Sequence, residues 1–179
     1  MHACVQFFNS FVNSILAFAL PLMMKERNID IVTIELVFAS TPMIFQLMRM
    51  FFATLSDFWG RKLLFVLNGF LRVVSSSIYY LAHTPLEFLF GKVVEGIKDG
   101  SLWAVNRPFL LENSESKWRV LIYLRTTRYV SYSIGSLLAG FLIVWLFYER
   151  TVTLCVMVGT FVVPLSLLLA SSMRARILV

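Results

Sequence analysis

The sequence predicts an all-α membrane protein built from six transmembrane helices. The first reason is composition: 59% of the 179 residues are hydrophobic and 15% charged, with a mean hydropathy of +0.79. Soluble domains carry about 45–50% apolar and about 25% charged residues. The second is segment length, because the apolar runs repeat at the ~20 residues that one helical crossing of a bilayer needs. The third is punctuation: short turns holding charges or proline separate those runs. Six crossings use almost the whole length, so residues 1–179 read as one six-span domain with no room for a separate water-soluble unit.

Span one is expected at about residues 4–24. No basic segment precedes it and no Ala-x-Ala site follows, which argues against a signal peptide. Gln6, Ser10 and Asn13 recur at helical spacing and give it one polar stripe, suited to a wet cavity or a neighbouring helix. Pro21 lies near its far end, and residues 25–30 form a charged turn. Span two, about 31–55, contains Pro42 as a candidate kink. Gln46 and Arg49 lie one turn apart in its second half, with Arg49 either snorkelling to the surface or entering an ion-pair network.

The run 53–62 (Ala-Thr-Leu-Ser-Asp-Phe-Trp-Gly-Arg-Lys) is a charged turn between two apolar segments, so it belongs at a membrane surface. Asp57 suits the positive end of the helix that follows, Gly60 permits a sharp bend, and Arg61 and Lys62 mark a cytoplasmic face. Span three, about 63–82, places Arg72 near mid-membrane, where it is costly without a partner that the sequence alone does not name. His83, Thr84 and Pro85 make the next turn.

Span four, about 86–112, is the least lipid-like. Lys92, Glu95, Asp99 and Asn106 share a face at helical periodicity, interrupted by Leu102, while Lys98 falls off it. Such a stripe has to face helices or water. Residues 112–119 form a polar turn. Span five, about 120–147, carries Arg125 and Arg128, then Ser131, Gly135 and Ala139 at the four-residue spacing of close helix packing. Residues 148–150 turn the chain into span six, about 152–170, which holds no charge and is expected to be the most lipid-exposed helix.

The net charge of +6 reflects basic loops rather than a nucleic-acid footprint, since no basic run is long enough to track a phosphate backbone. With the Asp57 turn inside, the inner side holds Arg61, Lys62, Lys117, Arg119, Arg174 and Arg176, and the outer side Lys25, Arg27 and Arg150. This excess places both termini in the cytoplasm. Lys25 and Arg27, which follow a first span with nothing basic before it, pull the other way. Cys4 and Cys155 fall in apolar segments and read as small buried hydrophobes, not a disulfide. His2 and His83 are too far apart for a metal site. No nucleophile–base set, metal-ligand spacing or glycine-rich phosphate loop is present, so neither an enzyme nor a cofactor is expected.

Three features together resemble the major facilitator superfamily. The 53–62 run is similar to the family's loop between the second and third spans. Lys92 through Gly100 resembles the Arg-x-x-Gln-Gly-x-x-x-Gly motif of its fourth span, with Lys92 where arginine is usual and Glu95 where glutamine is common. Pro108, Glu112 and Arg119 resemble the turn into the fifth span, followed by the small-residue stretch 134–140.

The resemblance implies a secondary active small-molecule permease of the cell membrane, working by alternating access. It also implies six spans arranged as two inverted three-helix repeats, with a substrate site near mid-membrane. Twelve spans in two halves are usual, so this sequence corresponds to an N-terminal half whose partner is a second six-span half or a second copy. Spans one and four would line the path through Gln6, Ser10, Asn13, Lys92, Glu95, Asp99 and Asn106. Spans three and six would be peripheral, which leaves Arg72 unexplained. Asp57, Gly60, Arg61 and Lys62 would form a gating loop, and Arg49, Glu112, Arg119 and Arg128 inner-face ion pairs.

Two readings of the fourth-span charges stay open. Asp99 and Glu95 suit proton carriage, because burial favours a carboxylate's neutral form. Alternatively, Lys92, Glu95, Lys98 and Asp99 neutralise one another, since Glu95 lies three residues from each lysine. A non-transporting scaffold or subunit of the same fold is the alternative function.

Overall fold

A computed structural model describes residues 2–59, 61–112 and 116–177; the side chains of Asp57, Arg61, Lys62, Asn106 and Glu112 lie outside what is described. The order is α1 (His2–Glu26), α2 (Ile31–Trp59), α3 (Arg61–Leu81), α4 (Pro85–Glu112) and α5 (Lys117–Ile177). Helix α5 is two limbs joined at Phe147, whose non-helical backbone (φ 60°, ψ 165°) breaks the run. Six helical segments result, and every described element is a helix.

The ends have local causes. Helix α1 stops where Asn28 takes a left-handed φ of 57°. The Asn28 amide donates to the Lys25 carbonyl at 3.0 Å and the Ile29 amide to the Met24 carbonyl at 3.1 Å, a Schellman closure. Asp30 then caps α2, its carboxylate accepting the Val32 amide at 3.1 Å. Thr84, Pro85 and Glu87 start α4: the Glu87 carboxylate accepts the Thr84 amide at 2.9 Å, and proline occupies the first helical position.

Packing is organised around α1. Of its apolar window 56% is buried, against 11% in α2 and 17% along the leading limb of α5, so α1 is central and the other two supply the outer surface. Val12, Ile15, Leu16, Leu20 and Met24 form the main core with Val37, Tyr79, Phe88 and Val152. Helix α1 meets the leading limb at Gly135, where a Cβ would come within 2.8 Å of the Phe11 carbonyl oxygen. Ser14 crosses the same contact, donating to the Tyr132 carbonyl at 2.8 Å and lying 2.9 Å from the Ser136 hydroxyl. Helices α2 and α4 meet through Gly96 and Gly100, where a Cβ would stand 2.9 Å from Ile44 and 2.8 Å from Met48. These are the close approaches that small residues permit between membrane helices.

Among the described residues, four helical stretches are long and apolar enough to cross a membrane: Cys4–Glu26, Ile31–Ser56, Leu63–Leu81 and Lys117–Tyr148. Helix α4 is not among them, in keeping with its density of charge.

The structure departs from the sequence reading at several points. The link between the fifth and sixth spans is a break at Phe147, one residue ahead of the expected 148–150 turn. Among its described side chains the trailing limb is not wholly exposed: Thr151, Val152 and Cys155 are buried. Helix α3 carries a buried polar face, Asn68, Arg72, Ser75 and Ser76, and Gly159 of the trailing limb lies against the Arg72 side chain. Cys4 is exposed rather than buried, and both cysteines are free thiols. Asp57 falls in the last turn of α2, with α3 starting only at Arg61. Gly60 itself lies outside the described residues.

Candidate functional site

A cavity of about 260 Å³ lies between α1, α2, α4 and the leading limb of α5. Helix α1 contributes Gln6, Asn9, Ser10 and Asn13. These positions follow the i, i+3, i+4, i+7 pattern of one helix face, which is why a single helix can coat one wall with amide and hydroxyl groups. Helix α2 supplies Thr41, Pro42 and Phe45, and α4 supplies Asp99, Leu102 and Trp103. The α5 wall is Leu124, Arg125 and Arg128.

Asp99 joins the two polar helices. The Asn13 amide donates to both Asp99 oxygens, at 3.2 and 3.4 Å. Lys98 Nζ lies 3.0 Å from Asp99 Oδ1 and donates to Asn13 Oδ1 of the side chain at 2.9 Å, closing a three-residue ring of contacts. Lys98 is fully buried and Asp99 half-buried, so the ammonium sits behind the carboxylate.

Behind that ring a second network ties α1 to α3. Arg72 Nη2 donates to the Asn9 side-chain oxygen at 2.7 Å and to the Asn9 backbone carbonyl at 2.8 Å, while Nε reaches the side-chain oxygen at 3.0 Å. The Asn9 amide in turn donates to Asn68 Oδ1 at 3.1 Å, and Asn68 Nδ2 to the Lys98 carbonyl at 2.8 Å. A buried guanidinium is costly unless its hydrogen bonds are met, and this chain of amides meets most of them. Arg72 Nη1 alone has no partner among the described residues.

Lys92 and Glu95 form a third group, one turn nearer the start of α4. Lys92 Nζ and the Tyr79 hydroxyl both donate to Glu95 Oε2, at 2.8 and 2.7 Å, and Lys92 also stands 4.2 Å from the centre of the Phe38 ring. All three polar residues are buried, and none of them lines the cavity.

The structure therefore brings Gln6, Ser10, Asn13 and Asp99 to one space and sets Lys92 and Glu95 apart in a closed pair with Tyr79. Gly60 and the side chains of Asp57, Arg61, Lys62, Asn106 and Glu112 lie outside what is described. Among the described residues Arg49 and Arg128 enter no ion pair. The Arg49 guanidinium instead lies 4.3 Å from the centre of the Trp103 ring, a cation–π contact, and Arg128 lines the cavity. Arg119 is exposed.

Asn9 was not singled out by sequence, although it completes the Gln6, Ser10, Asn13 stripe. Lys98 was placed off the polar face of α4; its long side chain reaches round to Asp99, which spacing by Cα alone does not show.

No curated protein sequence matches the chain significantly. A profile of the Major Facilitator Superfamily matches residues 3–177, which take in all six helical segments and every wall of the cavity. With that match over nearly its whole length, the chain belongs to the major facilitator superfamily.

Proposed function

We propose that the chain is the N-terminal six-span half of a secondary active small-molecule permease of the cell membrane. It works by alternating access together with a second six-span half or a second copy. The observation that carries this reading is the convergence of Gln6, Ser10 and Asn13 from α1 with Asp99 from α4 on one cavity. Polar groups at that depth are costly against lipid and useful against water. The two inverted three-helix repeats run over α1–α3 and over α4 with the two limbs of α5, with both termini cytoplasmic, as the basic residues of the loops suggest. Asp57, Gly60, Arg61 and Lys62 gate the inner face, and Asp99, half-buried beside Lys98, is the candidate for proton coupling.

The competing reading is a non-transporting subunit of the same fold. It draws support from Lys92, Glu95 and Tyr79, whose mutual contacts leave nothing facing the cavity.

Reconstitution of the chain in liposomes tests the choice, with crosslinking to count subunits and an internal pH-sensitive dye. Solute uptake above protein-free vesicles is expected, reduced in Asp57→Ala while membrane insertion is retained. Wild-type uptake in Asp57→Ala would contradict the gating role. Vesicles that hold correctly inserted protein in every assembly state and still show no flux would favour the subunit.

A further inference from the structure

The charges on the cavity wall do not balance. Asp99 is the one carboxylate among the described lining residues, and it is already matched by Lys98 at 3.0 Å and by the Asn13 amide. On the α5 wall, Arg125 and Arg128 are three residues apart on one helix, so they share a face. Both side chains are exposed, and neither has an ion-pair or hydrogen-bond partner for its guanidinium among the described residues. Two adjacent cations of this kind are stable in a membrane helix only where water or an anion meets them. The remaining wall is apolar and aromatic: Phe45 and Trp103 stand edge to face at 6.5 Å, and Arg49 backs Trp103. The volume of about 260 Å³ falls just below that of drug-sized ligand pockets, which run from about 300 Å³ upward, and suits a small molecule.

We infer that the cavity selects a small organic anion, its carboxylate or phosphate held between Arg125 and Arg128 and its apolar part against Phe45 and Trp103. The planar guanidinium fork matches either oxyanion, whereas an amine would meet two like charges. Ser10 and Gln6, 3.5 Å apart on the α1 wall, add neutral polar groups to the lining. The inference rests on the transporter reading for its biological sense, and its test separates the two.

In full-length protein carrying Cys4→Ser and Cys155→Ala, a single cysteine at Ser10→Cys reports on the wall. Its modification rate is compared for an anionic sulfonatoethyl and a cationic trimethylammonium methanethiosulfonate, each scaled to a free thiol. A cleft with a net excess of one sign of charge concentrates the opposite ion by about tenfold, so the anionic reagent should react faster by that factor. Benzoate and phenyl phosphate should slow the reaction, and benzylamine should not. Arg125→Gln with Arg128→Gln should abolish both effects, and lysine at the two positions should restore the rate preference.

Equal rates, a preference for the cation, failure of either anion to protect, or a preference that survives loss of both arginines would each overturn the anion assignment and leave the transporter reading standing. No reaction with either reagent would remove the water-filled cavity, and both readings with it.

Discussion

Arg72 shows at residue scale how a membrane helix carries a buried cation. Its guanidinium is fully buried and receives three contacts from Asn9, one helix away. Replacing Asn9 by leucine removes the side-chain acceptor and strands the charge, so Asn9→Leu should cost about 3 kcal/mol, while Arg72→Met, which removes the cation itself, should cost less than stranding it. Thermal unfolding in detergent, followed by circular dichroism, measures both; a smaller loss for Asn9→Leu than for Arg72→Met would contradict the pairing. The need for this partner was legible in the sequence, because an arginine in the middle of an apolar run has to be met by something. The partner was not, because Asn9 lies 63 positions away and only the packing of α3 against α1 brings the two together. Lys98 lies off the polar face of α4 by position, and the length of its side chain carries its charge round to Asp99.

At the scale of elements, the helices meet where glycine lets backbones approach, and α5 divides where one residue is held out of helical geometry. A Cβ at Gly135 would stand 2.8 Å from the Phe11 carbonyl oxygen, whereas at Gly140 nothing lies within 4 Å. Gly135→Val should therefore lower stability by roughly 1–3 kcal/mol through overpacking, well beyond the effect of Gly140→Val on the same limb. Equal losses at the two sites, in the same unfolding assay, would show that α1 does not approach the limb so closely. Phe147 adopts a backbone conformation that glycine tolerates better than other residues. Phe147→Gly should accordingly leave the two limbs in place and stabilise the fold by about 1 kcal/mol; destabilisation would mean that the phenyl ring contributes more than the backbone costs. The existence of two segments here was readable from the uncharged run that follows residue 150. The form of the join was not, since no glycine or proline marks it.

For the whole molecule, composition and segment length were enough to read six helices, and the small-residue spacing at Ser131, Gly135 and Ala139 was enough to read a packing face. The stripe of α1 pointed to the cavity without reference to any other helix. The stripe of α4 did so only in part, because Lys92 and Glu95 turn toward Tyr79 and Phe38 while Asp99 turns toward Asn13. Residues on one face of a helix need not share one neighbour: α3 and α2 close over the ion pair, while α1 meets the face at Asp99. The burial of α3 and of the start of α5's trailing limb follows from the same network, since Arg72 needs cover on every side.

The most direct measurement is the reaction of single cysteines with a small aqueous thiol reagent added to either side of the membrane. Asn13→Cys and Asp99→Cys are compared, in protein lacking Cys4 and Cys155, with Leu137→Cys on the exposed face of the leading limb. Labelling of Asn13→Cys and Asp99→Cys from at least one side, with Leu137→Cys protected by lipid, is the expected result. Failure of both cavity positions to react from either side would mean that α1 and α4 enclose no water-filled space.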